Sequence, residues 1–143
     1  MSSQTKPPEH VKLTIPGLSE YVSVARLLVS GVAARMDFPI EDIEDIKIAF
    51  SEAVNNAVQY AYAKPQPDQK VEIEIINHGK KMEMVVTDFG QGFDPANPPA
   101  ADEKDPHPHL GLGMTFMKSL MDEVSTDSKI GKGTTVRLVK KLR

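Results

Sequence analysis

The residues best suited to chemistry are Glu52 and Asn56, four positions apart in the segment SEAVNNA at 51–57. On a helix, residues four apart share one face and lie about a turn from each other. The carboxylate could act as a general base, and the carboxamide oxygen could be a ligand for Mg²⁺. Taken alone, the pair is more typical of a solvated helix surface, so the prediction needs support from elsewhere in the chain.

A second segment, VTDFGQG at 86–92, follows an alternating pattern and carries Asp88, Gly90 and Gly92. Glycines permit positive φ and a close approach of a ligand to the backbone. The Asp88 carboxylate, at a strand end, could accept a hydrogen bond from an exocyclic amine such as adenine N6. The alternative is a tight turn, in which Asp and Gly are common. Asp-Phe-Gly does not indicate a eukaryotic-type protein kinase, because the other motifs of that family are absent from the sequence.

Two further segments containing glycine are HLGLGM at 109–114 and GKGTT at 131–135. In the first, Gly111 and Gly113 open an apolar helical pattern. Glycines at a helix N-terminus expose N–H groups that favour phosphate. The second segment suits a hairpin turn before a β-branched strand. An ordinary turn also explains each segment taken alone.

Apolar periodicity predicts the elements that must position these segments. It indicates strands at 11–15, 71–75, 82–86, 124–128 and 134–142, and helices at about 19–36, 41–61 and 111–122. Ser19 is a candidate N-cap of the first helix, and Pro39 opens the second. The methionines of the third helix, Met114, Met117 and Met121, are expected in the core.

The predicted fold class is α+β, a two-layer sandwich with helices packed on one face of a mainly antiparallel, mixed sheet. Residues 1–9 are polar and contain prolines, and they predict a disordered start before a single domain at 10–143. Residues 93–110 contain five prolines and predict a long loop that is a lid, a binding loop or disordered.

Composition limits the classes of function. Hydrophobic residues make up 40% and charged residues 26% of the 143 residues, which is typical of a soluble globular protein. The net charge of −3 gives no reason to expect direct binding to nucleic acid or to a membrane. Cysteine is absent, which excludes disulfides and thiolate catalysis. The N-terminus, MSSQTKPPEH, has no apolar segment typical of a signal peptide, and we predict a cytoplasmic protein.

The order of the segments resembles the GHKL ATPase fold, which includes the histidine kinases. The matching parts are Glu-x-x-x-Asn on a helix, Asp-x-Gly-x-Gly after a strand, a proline-rich lid, Gly-x-Gly opening a helix and then Gly-Thr-Thr. Within that fold, the chain is most similar to the anti-sigma factor serine kinases of the RsbW and SpoIIAB type. This likeness rests on IKIA at 46–49, SEAV at 51–54, GLGM at 111–114 and LMDEV at 120–124.

The resemblance implies a role for each matching residue. Asn56 would be a Mg²⁺ ligand and Glu52 the base that acts on an incoming serine hydroxyl. Asp88 would bind adenine with help from Thr135 through a water, and Gly90 and Gly92 would let the adjoining loop close. The other nucleotide-binding residues expected from the resemblance are His109, Gly111, Leu112, Gly113, Met114 and Thr134.

Two details stay open within these roles. Helical spacing favours Asn56 over Asn55 as the metal ligand, because Asn55 would face about 100° away. No lysine or arginine of the lid is an obvious ligand for the γ-phosphate. Either His109 or the glycine-loop amides hold that phosphate, or a partner protein contributes, or phosphoryl transfer is slow.

The resemblance implies an anti-sigma factor with serine kinase activity. It would use ATP and Mg²⁺ to phosphorylate an anti-anti-sigma protein of the STAS type, and would block transcription by sequestering a sigma factor. It also implies a homodimer. Arg26 on the first helix is, by the same resemblance, a candidate contact with the sigma factor. Two alternatives share the site: an ATP-dependent sigma-binding switch without kinase activity, and a switch kinase acting on stress-sensing scaffold proteins.

Overall fold

The computed structural model describes residues 7–60, 69–92 and 110–143, with the side chains of Tyr60 and residues 110–114 excepted. The strands in this part of the chain are β1 (Glu9–Pro16), β2 (Lys70–Asn77), β3 (Lys81–Asp88), β4 (Glu123–Lys129) and β5 (Gly133–Lys141). The α-helices are α1 (Val22–Arg35), α2 (Ile40–Tyr60) and α3 (Leu110–Leu120). None of these helices is both long enough and apolar enough to cross a bilayer.

The strands form one sheet in the order β1-β2-β3-β5-β4. Each pairing between these strands is antiparallel, so the described sheet is antiparallel rather than mixed. Alternation places one set of side chains of each strand against the helices and the other set on the open face. The predicted α+β class, with helices on one face of the sheet, is confirmed.

The core lies between the sheet and the helices. Its largest fully buried side chains include Phe50 and Ile46 of α2, which pack with Ile73, Ile75, Met84 and Leu138 of the sheet. These side chains recur every three or four residues on α2 and every second residue on the strands, as burial of one face requires. Met117 and Met121 are buried as predicted, whereas the side chain of Met114 lies outside the described residues.

Three predicted boundaries are wrong. Ser19 does not cap the first helix: it starts a 3-10 turn, Ser19–Tyr21, and α1 begins at Val22 without a side-chain cap. Glu9 already belongs to β1 and pairs with Asn77, so it is not part of a disordered start. Leu110, placed in the predicted loop, is the first residue of α3. Residues 1–6 and the rest of that loop lie outside the described residues.

One row of residues that crosses the sheet is polar over part of its length. Register pairs Val71 with Asp88, Asp88 with Thr134, and Thr134 with Ser128, so these residues lie in one line across β2, β3, β5 and β4. All of them belong to the helix-facing side of the sheet, because Val71 is in the core. The row therefore changes from apolar to polar at Asp88.

Candidate functional site

Helix α2 carries the pair Glu52 and Asn56. Asn56 is 9% exposed, and its amide nitrogen Nδ2 is buried without a hydrogen-bond partner in the part of the chain that the structure describes. Burying an amide donor without a partner costs about 1–3 kcal/mol, which a bound ligand would recover. Glu52, one turn earlier, is partly exposed. The helix therefore places a partly exposed carboxylate one turn from a buried amide N–H group that has no partner within the described residues.

Glu52 lies in an open groove on the surface of α1 and α2. The groove is lined by Arg26, Glu44, Lys47, Ile48, Ser51, Glu52 and Asn55. Arg26 Nε donates a hydrogen bond of 2.8 Å to Ser51 Oγ, which fixes the guanidinium beside the residue that precedes Glu52. Asn55 shares this groove and is partly exposed, whereas Asn56 is buried, which agrees with the helical spacing that separates the two asparagines.

Asp88 ends β3 as a buried carboxyl, 6% exposed. Burial raises the pKa of Asp88 above its ordinary 3.8, and backbone hydrogen bonds from Gly90 and Thr134 offset part of that rise. The Gly90 N–H lies 3.0 Å from Asp88 Oδ1. No ion pair satisfies this carboxyl within the described residues. A buried carboxyl held only by N–H groups is suited to accept a further hydrogen bond from a ligand.

The loop after Asp88 packs against the β4–β5 turn, and two glycines make this packing possible. Gly92 has a φ of +65°, and a Cβ there would lie 2.0 Å from the carbonyl oxygen of Lys129. Gly133 has a φ of +81°, and a Cβ there would lie 2.2 Å from the carbonyl oxygen of Asp88. The hairpin predicted for GKGTT is confirmed, and Gly133 also closes the turn directly onto the Asp88 backbone.

The structure separates the two adjacent threonines. Thr134 pairs with Asp88 across the strands and lies on the same side of the sheet. Thr135 pairs with Thr87, and their Oγ1 atoms are 3.4 Å apart on the open face. Because neighbouring residues of a strand point to opposite faces, Thr135 is on the wrong side of the sheet to assist Asp88. Thr134, rather than Thr135, is therefore the threonine that lies beside Asp88.

Helix α3 begins at Leu110, which places Gly111 and Gly113 in its first turn. The first N–H groups of an α-helix have no partner within the helix, and this first turn contains no acidic residue. Helix α3 packs against α2, so its glycine-bearing turn belongs to the same layer as Asn56. His109 lies outside the described residues, as do the side chains of Leu112 and Met114.

Ser128 was not predicted as a site residue. It is 4% exposed, and its Oγ lies 2.7 Å from Thr134 Oγ1. Alternation along β4 could have placed Ser128 on the inner face with Val124. The sequence does not show which residue it meets there, because that depends on the register with β5.

Comparison with known proteins identifies the family. The histidine kinase-like ATPase domain family matches residues 15–140. The serine-protein kinase RsbW of Bacillus pumilus strain SAFR-032 is 39% identical over 138 residues, covering 91% of this chain and 84% of that protein. RsbW of Bacillus subtilis strain 168 is 37% identical, covering 94% and 86%. The anti-sigma F factor of Anoxybacillus flavithermus strain WK1 is 35% identical, covering 91% and 90%.

Solved structures show the same fold at lower identity. The RsbU and RsbW domains of Rv1364c from Mycobacterium tuberculosis align over 96% of this chain and 32% of that one, with a TM-score of 0.67 and 22% identity. The mycobacterial sensor histidine kinase MprB aligns over 94% and 99%, with a TM-score of 0.54 and 17% identity. Together with the sequence relatives, these matches confirm the predicted resemblance: the chain belongs to the histidine kinase-like ATPase family, in the branch of the serine-protein kinase RsbW and the anti-sigma F factor.

Proposed function

We propose that this serine kinase is an anti-sigma factor that transfers a phosphoryl group from Mg·ATP to a serine of a small STAS-type anti-anti-sigma protein. The observation that carries the proposal is the buried Asn56 Nδ2, which has no partner among the described residues and lies one helical turn from Glu52. A phosphate oxygen or an ordered water of a bound nucleotide would satisfy this donor. The Oδ1 atom of the same carboxamide is the kind of oxygen that binds Mg²⁺.

Phosphoryl transfer needs a base for the incoming hydroxyl. Glu52 is partly exposed in the open groove, so a serine on another protein can reach it. Glu52 would take the hydroxyl proton while the serine oxygen bonds to the γ-phosphorus. The bond from that phosphorus to the oxygen shared with the β-phosphate breaks, and ADP leaves. Bound Mg²⁺ would supply positive charge to the phosphates.

Adenine would bind at the far end of the site. The buried Asp88 carboxylate would accept a hydrogen bond from N6, with Thr134 rather than Thr135 beside it. The N–H groups of the first turn of α3, which contains Gly111 and Gly113, would face the phosphates. Leu112 and Met114 would line the nucleotide, and either His109 or the glycine-loop amides would hold the γ-phosphate.

A sigma factor is the second proposed partner, bound in a complex that competes with the STAS protein. The anti-sigma F factor among the relatives supports this assignment. Arg26 is exposed on α1, and its hydrogen bond to Ser51 holds it in the groove that also contains Glu52. Arg26 can therefore contact a partner that approaches the catalytic base. We further propose that the protein acts as a homodimer in the cytoplasm.

The direct test is transfer of label from γ-labelled ATP to a purified STAS protein. We expect Glu52→Gln to slow transfer by about 10²–10⁴-fold, because the base is lost, while ATP still binds. Glu44→Gln is the matched control, since Glu44 is an exposed carboxylate in the same groove. Transfer that is unchanged in Glu52→Gln would refute the role of Glu52 as the base.

The labelling assay, together with a sigma-factor pulldown, separates the proposal from its alternatives. A sigma-binding switch without kinase activity would bind ATP and retain a sigma factor but would label no STAS protein. A switch kinase acting on scaffold proteins would label a scaffold protein and would retain no sigma factor in a pulldown. The partly exposed Glu52 favours the kinase, because a protein that only binds has no need of a base there.

A further inference from the structure

Ser51 is a buried residue of α2 that lines the groove beside Glu52 and is 8% exposed. Its Oγ lies 2.8 Å from Nε of Arg26, an exposed residue of α1. An arginine side chain has donors only, so Arg26 donates this hydrogen bond and Ser51 accepts it. The direction of the bond is therefore fixed by chemistry, whichever way the Ser51 hydrogen points.

The bond to Ser51 uses only one nitrogen of the Arg26 guanidinium. Within the described residues, Nη1 and Nη2 of Arg26 make no hydrogen bond or ion pair. The other cation that lines the groove, Lys47, is paired with Glu44 at 3.3 Å. The N–H groups of Nη1 and Nη2 can therefore bind an acceptor group on an incoming protein.

Ser51 orders this guanidinium before any partner binds. An exposed arginine side chain samples many rotamers, and ordering it during binding reduces the affinity. Here the Nε atom is already held by a buried hydroxyl on a neighbouring helix. Because Ser51 and Glu52 are consecutive residues of α2, the same bond also keeps the guanidinium in a fixed position relative to the proposed base.

We propose that Ser51 is a positioning residue for the protein substrate. By holding Arg26 Nε, it keeps the other N–H groups of the guanidinium at the groove, where they bind an acceptor group of the STAS protein while its serine reaches Glu52. Ser51 acts through Arg26 and touches neither the nucleotide nor the reacting serine. It therefore sets the KM for the STAS protein and not the affinity for ATP. This inference rests on the proposed kinase function and adds to it a residue that prepares the site for the substrate.

The test measures transfer from labelled ATP to a purified STAS protein by the full chain, at saturating ATP. We expect Ser51→Ala to raise the KM for the STAS protein about three- to tenfold, the effect of leaving one arginine to be ordered during binding. The kcat and the dissociation constant of ATP should not change. Ser51→Thr keeps the hydroxyl and should retain the wild-type KM. With Arg26→Ala already present, Ser51→Ala should raise the KM no further, because no guanidinium remains to be held.

The outcomes distinguish this inference from the proposed function. If the wild-type chain labels no STAS protein, the proposed function is refuted, and this inference with it. If the wild type transfers label and the KM is the same in Ser51→Ala, only the role of Ser51 is refuted. A KM that rises equally in the Arg26→Ala background, or equally in Ser51→Thr, would assign the effect to packing around residue 51 and also refute that role. Weaker ATP binding in Ser51→Ala would show that α2 itself is disturbed, with the same consequence.

Discussion

Gly133 lies against the backbone of Asp88 so closely that a Cβ on Gly133 would be 2.2 Å from the Asp88 carbonyl oxygen. The same turn holds the loop after β3, since Gly131 N donates a 2.6 Å hydrogen bond to the carbonyl oxygen of Gln91. The backbone that carries Asp88, the carboxylate proposed to bind adenine, is therefore held by the β4–β5 turn. We therefore expect changes in that turn to alter both the free energy of unfolding and nucleotide binding.

Gly133→Ala should be strongly destabilising, because it combines a positive φ of +81° with a backbone clash. Gly131→Ala is the matched control: its φ is also +81°, but a Cβ there meets nothing within 4 Å. We expect Gly131→Ala to lower the free energy of unfolding by about 1–2 kcal/mol, from the strained backbone alone. Gly133→Ala should lower the free energy of unfolding by clearly more than this and should also weaken ATP binding. Equal losses of unfolding free energy for the two variants in urea denaturation would contradict the close approach of Gly133 to the Asp88 carbonyl oxygen.

The pH dependence should differ between ATP binding and stability. Burial raises the pKa of Asp88. The proposed hydrogen bond from adenine N6 would be stronger to the ionised carboxylate than to the neutral carboxyl, so ATP affinity should fall as pH drops through the raised pKa. Because the folded-state pKa exceeds the unfolded one, the contribution of Asp88 to stability is complete below the unfolded value and is lost as pH rises through the folded one.

Asp88→Asn tests both parts of that prediction. The variant should bind ATP at least about tenfold more weakly at neutral pH, because a charge-assisted hydrogen bond is lost. The part of the pH dependence of affinity that is due to Asp88 should disappear. The variant without ligand should be as stable as wild type or more so at neutral pH, since a buried charge has been removed. Calorimetry and denaturation across pH measure these effects, and an unaltered pH profile of affinity would argue against Asp88 as the adenine ligand.

Asn56→Ala should abolish the Mg²⁺ dependence of ATP binding and reduce the affinity by at least about tenfold, the effect of one charge-assisted contact. Asn55 is one residue earlier and partly exposed, so Asn55→Ala should leave the ATP affinity and its Mg²⁺ dependence nearly unchanged. Titration of ATP with and without Mg²⁺ gives the comparison. If the two alanine variants behave alike, the buried carboxamide is not the metal ligand.

Lys140 should be needed to hold α3 in place. Its Nζ donates a 2.7 Å hydrogen bond to the carbonyl oxygen of Leu120, the last residue of α3, and its side chain is only 12% exposed. Lys140→Met removes a cation from the C-terminus of the helix and should lower the free energy of unfolding by about 1–3 kcal/mol. Lys141→Met, at an exposed neighbouring position, should cost much less. Comparable losses of unfolding free energy for the two variants would show that the contact of Lys140 with Leu120 contributes little to stability.

Much of the site could be predicted from local pattern. Glu52 and Asn56 are four apart within a strongly periodic segment, so their common helix face follows from helical geometry. The strand before Asp88 and the turn at GKGTT were likewise visible as alternation and glycine spacing. Ser19 shows the limit of such signals: a residue typical of N-caps lies in a 3-10 turn instead, because the chain leaving β1 sets where α1 begins.

Local pattern in the sequence is enough to predict the helices and strands, the helix that carries Glu52 and Asn56, and the order of segments that identifies the family. The fold is needed to show that Thr134, and not Thr135, lies beside Asp88, and that Ser128 lies next to Thr134. The two threonines are adjacent and alike in type, and the face that each occupies depends on the pairing of β5 with β3 and β4. That register is set by contacts between residues distant in sequence, and a shift of one residue would exchange the two faces.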